Sequence, residues 1–171
     1  PVLTVVFTPS DVGDFMGDFL IRRADSCPQK KVKLMGRGVS SCLTWKAEPP
    51  DDAAGLGAHF GSVQPSAVKP GKVTWSNACS IDAELSELRT ADPVFAVTSP
   101  APLVVPAATR DAMGVWSDGS AVTTLEFRPV ALGPKQDHLI AVTSFSSQPQ
   151  LSVSLKGFGG GPKIQVTPSP I

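Results

Sequence analysis

Leu125-Glu-Phe-Arg-Pro-Val-Ala-Leu-Gly133 decides the fold, because the chain carries this stretch twice. The earlier copy is Leu3-Thr-Val-Val-Phe-Thr-Pro-Ser-Asp-Val-Gly13. Both copies hold a phenylalanine, a proline and a glycine at the same spacing, and the matched positions are Phe7 with Phe127, Pro9 with Pro129, and Gly13 with Gly133. An internal repeat predicts architecture more reliably than any local pattern does.

Apolar segments and a pair of glycines follow each copy. The second copy is followed by Leu139-Ile-Ala-Val142 and Leu151-Ser-Val-Ser-Leu-Lys-Gly-Phe-Gly159, and the first by Phe19-Leu-Ile21 and Val32-Lys-Leu-Met-Gly-Arg-Gly38. After a shift of one residue, Gly36 and Gly38 match Gly157 and Gly159. The two copies lie about 120 residues apart, which is a usual size for one domain.

The repeat predicts three parts in the chain. We expect residues 1–39 to be the C-terminal part of a preceding domain, 41–160 to be a complete domain, and 161–171 to be a linker and the first strand of a following unit. The sequence would then be a piece of a longer tandem array. Because three strands of one sheet make no stable unit alone, we expect another chain or a preceding segment to complete residues 1–38.

Composition favours an all-β protein. The 17 prolines and 15 glycines are too many for long helices, while 42% hydrophobic residues suffice for a packed core. The formal net charge is zero, so the chain has no electrostatic attraction for nucleic acid or an anionic membrane. No apolar run approaches the ~20 residues of a membrane span. We therefore expect no nucleic-acid partner and no membrane insertion.

Period-two alternation of apolar and polar residues predicts short strands. In 150–156, for example, Leu151, Val153 and Leu155 should face a core. Strands are expected at 3–7, 18–22, 31–35, 42–46, 59–63, 72–76, 83–89, 94–98, 123–128, 137–143 and 150–156, the last three as a meander, with 100–106 as extended chain. Turns are expected at 10–13, 69–71 and 117–119, a helical turn or a bulge within 83–89, and one helical turn within 107–113. About seven strands in the complete domain predict a β-sandwich.

Four segments resemble a known family. They are Phe60-Gly-Ser-Val63, Pro70-Gly-Lys-Val-Thr-Trp-Ser-Asn77, Leu125-Glu-Phe-Arg-Pro129 with Gly133, and Val153-Ser-Leu-Lys-Gly-Phe-Gly159. Together they resemble the immunoglobulin-like repeat of bacterial surface proteins of the choice-of-anchor D type, which is related to ASH and major-sperm-protein-like domains. Trp75 stands where an aliphatic residue or phenylalanine is more usual, and 99–120 is longer than the usual turn.

The resemblance implies an immunoglobulin-like β-sandwich in a tandem array and a non-catalytic role. It implies a structural spacer or adhesion module of a larger secreted or cell-surface bacterial protein, extracellular or periplasmic, which contacts neighbouring immunoglobulin-like domains of the same protein. Two alternatives remain open. The chain could bind a partner strand or peptide at a sheet edge, or it could be an accessory domain of a secreted enzyme. No cofactor is expected.

Three cysteines raise the question of a disulfide. Cys42 begins the complete domain and Cys79 follows the strand that holds Trp75, so a bridge between them would close a loop of about 37 residues. Cys27 would pair with a cysteine outside this sequence. The alternative is three free buried thiols. A zinc site is not expected, because no CxxC spacing occurs.

A basic patch lies in the first copy and comprises Arg22, Arg23, Lys30, Lys31 and Lys33. Cationic side chains at sheet edges commonly block edge-to-edge aggregation. The functional alternative is a partner surface, either a protein or an acidic surface polysaccharide.

The remaining polar residues give little sign of catalysis or metal binding. His59 and His138 fit ordinary strand positions, and Asp82, Glu84 and Glu87 fit a solvated acidic edge. Asp11, Asp14 and Asp18 surround a turn and give a weak calcium signal, since calcium needs several oxygens at short range. We therefore expect no catalytic residue and no metal site.

Overall fold

A computed structural model describes residues 2–21 and 29–161 of the chain. The chain divides into two compact units, unit 1 (Pro1–Ser41) and unit 2 (Cys42–Ile171). The strands are β1 (Gly13–Ile21), β2 (Lys30–Gly38), β3 (Leu43–Glu48), β4 (Gly57–Val63), β5 (Lys69–Asn77), β6 (Ala83–Arg89), β7 (Phe95–Val97), β8 (Leu103–Val105), β9 (Thr109–Arg110), β10 (Trp116–Ser117), β11 (Gly119–Phe127), β12 (Gly133–Thr143) and β13 (Gln150–Gly159). Within the described residues every regular element is a strand.

Unit 2 is an immunoglobulin-like β-sandwich. One sheet has the strand order β3-β5-β11-β7 and the other β4-β13-β12-β6-β8, while β9 and β10 form a short separate ribbon. The first two strands of unit 2 belong to different sheets. Strand β3 runs antiparallel to β5 in the first sheet, and β4 runs parallel to β13 in the second. This confirms the predicted all-β, immunoglobulin-like class for this unit.

The core of unit 2 lies between the two sheets. Its largest fully buried side chains are Trp75, Phe60, Phe95, Phe127, Leu43, Leu85, Leu125, Leu139, Leu155, Val73, Val105 and Val153. Leu151, Val153 and Leu155 all face inward from β13, as their alternation predicts. The indole N–H of buried Trp75 donates to the hydroxyl of buried Thr123 at 2.8 Å, so this bulky polar ring is satisfied inside the core.

A bulge explains the Phe-Gly pair of β4. The pairing of β4 with β13 shifts register between Lys156 and Phe158, where Phe60 and Gly61 are inserted. Gly61 has a φ of +67°, in the left-handed region that favours glycine. The bulge directs Phe60 into the core, where its ring centroid lies 5.4 Å from that of Phe127.

The prediction of a turn at 69–71 is wrong, because these residues begin β5. Pro70 and Gly71 pair with β11, whereas the pairing of β5 with β3 reaches only to Lys72. At Pro70 the strand β5 therefore has only one paired neighbour among the described residues. Proline has no backbone N–H to donate, and it is tolerated at a strand position that is unpaired on one side.

Three other local predictions also need correction. The last three strands are not a meander, because β11 lies in one sheet and the β12–β13 hairpin in the other. Residues 107–113 form no helical turn and contain β9. The turn predicted at 117–119 is also wrong, because Ser117 and Gly119 belong to the strands on either side of Asp118.

For 83–89 the sequence predicted a helical turn or a bulge, and the structure has the bulge, since the pairing of β6 with β12 skips Ser86.

Unit 1 is an antiparallel hairpin, β1 paired with β2, preceded by residues 2–12 without strand pairing. The strand expected at 3–7 is therefore not formed. Gly13 pairs with Gly38 in unit 1 as Gly133 pairs with Gly159 in unit 2. Likewise, Phe19 pairs with Val32 in unit 1 as Leu139 pairs with Val153 in unit 2, with the same one-residue shift between the second strands of the two hairpins.

The two copies also share tertiary contacts. A Cβ built on Gly36 would meet the Phe7 ring at 2.7 Å, and one built on Gly157 would meet the Phe127 ring at 2.6 Å. A Cβ on Gly38 would meet the Asp11 carbonyl oxygen at 2.0 Å, and one on Gly159 the Ala131 carbonyl oxygen at 2.0 Å. The sequence repeat is thus a repeat of structure, in which a glycine accommodates a phenylalanine ring.

Candidate interaction site

An apolar groove of about 400 Å³ opens in unit 1 between the segment before the hairpin and the hairpin itself. We call it the unit 1 groove. Its walls include Val5 and Phe7 on one side and Phe15, Leu34 and Gly36 on the other. The Phe7 and Phe15 rings lie 5.7 Å apart between centroids. A groove with this lining suits an apolar side chain.

The corresponding side chains of unit 2 are fully covered. Phe7 is 48% exposed and Phe127 0%, and Val5 is 50% exposed where Leu125 is 1%. On the facing strand Val32 is 36% exposed and its equivalent Val153 is 0%. The expectation that another chain or a preceding segment completes residues 1–38 stays a prediction, and in the described residues Val5 and Phe7 are about half exposed.

Phe60 of β4 covers Phe127 in unit 2. Its ring lies 5.4 Å from Phe127 and 5.8 Å from Phe95, centroid to centroid, and β4 runs beside β13. In the part of unit 1 that the structure describes, β2 pairs with β1, and the Phe7 ring is left half exposed. The unit 1 groove thus borders the Phe7 ring, whose counterpart Phe127 is covered by Phe60 in unit 2.

Sequence reasoning missed this groove. The repeat gave no signal for Phe15, because its equivalent in β12 is Lys135.

The predicted basic patch is only partly placed by the structure. Lys30, Lys31 and Lys33 lie on β2, while Arg22 and Arg23 fall outside the described residues. The ammonium of Lys31 lies 2.8 Å from the Asp18 carboxylate on the paired strand. This pair neutralises one of the cations and one of the three aspartates that gave the calcium signal.

The structure joins Cys42 and Cys79 in a disulfide, which is one of the two alternatives that the sequence left open. The backbone reinforces the link, since the N–H of Ala78 donates to the carbonyl of Cys42 at 2.8 Å. The bridge ties the start of β3 to the loop that follows β5. Cys27 lies outside the described residues.

The other polar candidates have structural contacts. Nδ1 of His138 lies 3.1 Å from the Ser152 hydroxyl across the β12–β13 pair. The Asp82 carboxylate accepts from the N–H of Ala107 at 2.8 Å and so fixes the chain beyond β8. Among the residues that the structure describes, no group of three potential metal ligands comes together.

A second groove, of about 560 Å³, lies on unit 2 along the ends of β3 and β5. It is lined by Pro49, Pro50, Pro70 and Gly71, and the Lys72 ammonium pairs with the Glu48 carboxylate at 3.1 Å beside it. This surface is shallow, and three of its lining residues are prolines.

None of the described residues belongs to a helix long and apolar enough to cross a membrane.

The chain was compared with known proteins and structures. No protein-family model matches it, and no curated protein matches it. A protein of unknown function from Porphyromonas gingivalis W83 is similar in structure, with 8% identity and a TM-score of 0.50 over 87% of this chain and 67% of that one. This likeness concerns the fold alone.

Two further structures are similar at lower TM-scores. They are the ASH / PapD-like domain of human CEP192, with 13% identity, a TM-score of 0.44 and coverage of 84% of this chain and 99% of that one, and WR4, a C. elegans MSP family member, with 11% identity, a TM-score of 0.42 and coverage of 68% and 97%.

Proposed function

We propose that this chain is a non-catalytic immunoglobulin-like module of a larger secreted or cell-surface bacterial protein, in which it acts as a structural spacer or adhesion module. The observation that carries the proposal is the repeated hairpin with its phenylalanine ring on a glycine, at Gly36 and again at Gly157. Recurrence of the same building block in one chain is what a tandem array of such modules would produce. In such an array, residues 1–39 would belong to a preceding module.

The disulfide supports the proposed location. Bridges such as Cys42–Cys79 persist in oxidising compartments and are rare in the cytosol. A spacer or adhesion module also benefits from a covalent link near a strand end, because the link restricts opening of the sandwich.

The experiment is surface labelling of intact producing cells with a membrane-impermeant biotin reagent, followed by peptide mapping without reduction. We expect the labelled protein to yield Cys42 and Cys79 in one cross-linked peptide pair. Labelling only after complete lysis, with both thiols free to alkylation, would contradict secretion and surface exposure. A control on a known cytosolic protein of the same cells shows that the reagent stays outside.

A second candidate is a module that binds a strand or peptide. The unit 1 groove favours it, because half-exposed Phe7 lies where a sandwich would have a covered ring. The two candidates are compatible, since spacer modules in an array also contact neighbouring polypeptide.

A further inference from the structure

We propose that the Cys42–Cys79 bridge is the point through which pulling force passes into unit 2, and that it keeps the edge strand β3 out of the stretched chain. The inference rests on the proposed role as a spacer in an array, where each module is pulled by its neighbours. The bridge spans 37 residues, which hold β3, β4 and β5. The shortest covalent path through unit 2, which we call the load path, therefore omits these three strands.

The two points where the force acts lie at opposite ends of the sandwich. Force enters at Cys42, the first residue of unit 2, and leaves after Gly159, the last residue of β13. The side-chain amide of Gln148 holds Cys42 and Leu43 beside the turn that precedes β13, through two hydrogen bonds of 2.9 Å. Strand β13 runs 10 residues away from this turn, a length of about 30 Å. Pulling along an array would therefore act along the strands.

Without the bridge, the force would act first on β3. Among the described strands β3 pairs only with β5, and it lies at the edge of its sheet. The pairing extends from Leu43 to Glu48, and an edge strand is held by hydrogen bonds on one side only. Less work is needed to detach such a strand than a central one, so β3 would separate before the rest of the sandwich opens.

With the bridge, the force reaches Cys79 and passes into the other sheet. The next strand along the load path is β6, which pairs with β12, and β12 pairs in turn with β13 from Gly133 to Val142. These three strands are adjacent in the order β13-β12-β6, so β12 is paired on both sides. The force therefore enters and leaves through one sheet, and it acts along the longest strand pairing of unit 2.

A buried asparagine fixes the chain at the point where the force arrives. Asn77 is fully buried, accepts from the N–H of Cys79 at 3.0 Å and donates to the carbonyl of Ile81 at 2.8 Å. It also donates to the carbonyl of Val105 in β8 at 3.3 Å. Hydrogen bonds in a buried site are electrostatically stronger than hydrogen bonds in water. Because Asn77 belongs to β5 and Val105 to the other sheet, one side chain ties the bridge to both sheets.

Single-molecule pulling on the full chain tests the inference, with a handle protein fused to each end. The reference protein carries Cys42→Ser together with Cys79→Ser and lacks the bridge. We expect this variant to extend by about 130 Å more than the wild type when fully unfolded, because 37 residues at ~3.6 Å each enter its load path. Its first rupture should occur at a lower force, since β3 detaches early. Unit 1 contributes the same length to both proteins.

Two insertions separate the load path from a general effect on stability. Five glycines after Ala53, in the exposed loop between β3 and β4, should add no length to the wild type and about 18 Å to the bridge-free variant. Five glycines after Ala112, in the turn between β9 and β10, should add about 18 Å to both proteins. Extra length in the wild type from the first insertion, or equal first rupture forces with and without the bridge, would overturn the proposal.

The pulling test is independent of the labelling test. Free thiols in cytosolic protein would contradict the proposed location, whereas purified oxidised protein would still show whether the bridge carries the force. Equal rupture forces with and without the bridge, in a protein that is labelled at the surface, would contradict the load path alone.

Discussion

Among the described residues, four phenylalanine rings lie directly over glycines, at distances that leave no room for a side chain. The distances from a built Cβ to the nearest ring atom are 2.7 Å for Phe60 at Gly71, 2.6 Å for Phe127 at Gly157, 2.7 Å for Phe7 at Gly36 and 2.8 Å for Phe158 at Gly160. The glycines are therefore required by packing at these positions, and this requirement explains why the glycines recur with the phenylalanines in the repeat.

Gly157→Ala should destabilise unit 2 by about 1–3 kcal/mol, because the added methyl group displaces the buried Phe127 ring. Urea unfolding followed by tryptophan fluorescence measures the change. Gly161→Ala is the control within unit 2, since a Cβ there meets nothing within 4 Å. Equal unfolding midpoints for the two variants would contradict this account of the glycine.

Thr123→Val should cost about 1–3 kcal/mol, because it leaves the buried indole N–H of Trp75 without its 2.8 Å acceptor. The same urea titration measures the loss. Thr44→Val, at an exposed position of β3, should change the free energy of unfolding by less than about 0.5 kcal/mol. If Thr123→Val is equally silent, the hydrogen bond contributes nothing to the core.

At the scale of elements, a single side chain holds the first strand of unit 2 to the turn between β12 and β13. The amide oxygen of Gln148 accepts from the N–H groups of Cys42 and Leu43, each at 2.9 Å. Its amide nitrogen donates to the carbonyl of Leu43 at 3.0 Å. The edge strand β3 is thereby anchored beside the disulfide.

Gln148→Ala should destabilise unit 2 by about 1–3 kcal/mol, because the N–H groups of Cys42 and Leu43, at the start of β3, lose their acceptor. Hydrogen exchange should accelerate at Leu43 more than at the distant β6. Gln136→Ala removes an exposed glutamine of β12 and is the control. Unchanged exchange at Leu43 would show that water replaces the glutamine without loss.

The elements show which sequence signals were decisive. Alternation correctly predicted the inward face of β13, since period two follows directly from strand geometry. Proline and glycine at 69–71 suggested a turn, yet the absence of a second neighbour makes Pro70 acceptable in β5. The crossing of β11 to the other sheet could not be predicted, because strand alternation says nothing about which sheet a strand joins.

At the scale of the whole molecule, two equivalent hairpins differ in how well they are covered. The repeat predicted their equivalence from Phe7, Pro9 and Gly13, and the paired registers agree. The repeat could not predict the unit 1 groove, because burial depends on which other strands are present and not on the hairpin itself.

Amide hydrogen exchange at paired positions of the two hairpins is the most direct test of this central claim. The positions to compare are Phe19 and Val32 in unit 1 with Leu139 and Val153 in unit 2, which are equivalent in register. We predict much faster exchange in unit 1, because local opening costs least where few apolar contacts are buried. Equal protection of both hairpins would contradict the account, since it would mean that unit 1 has a closed core of its own.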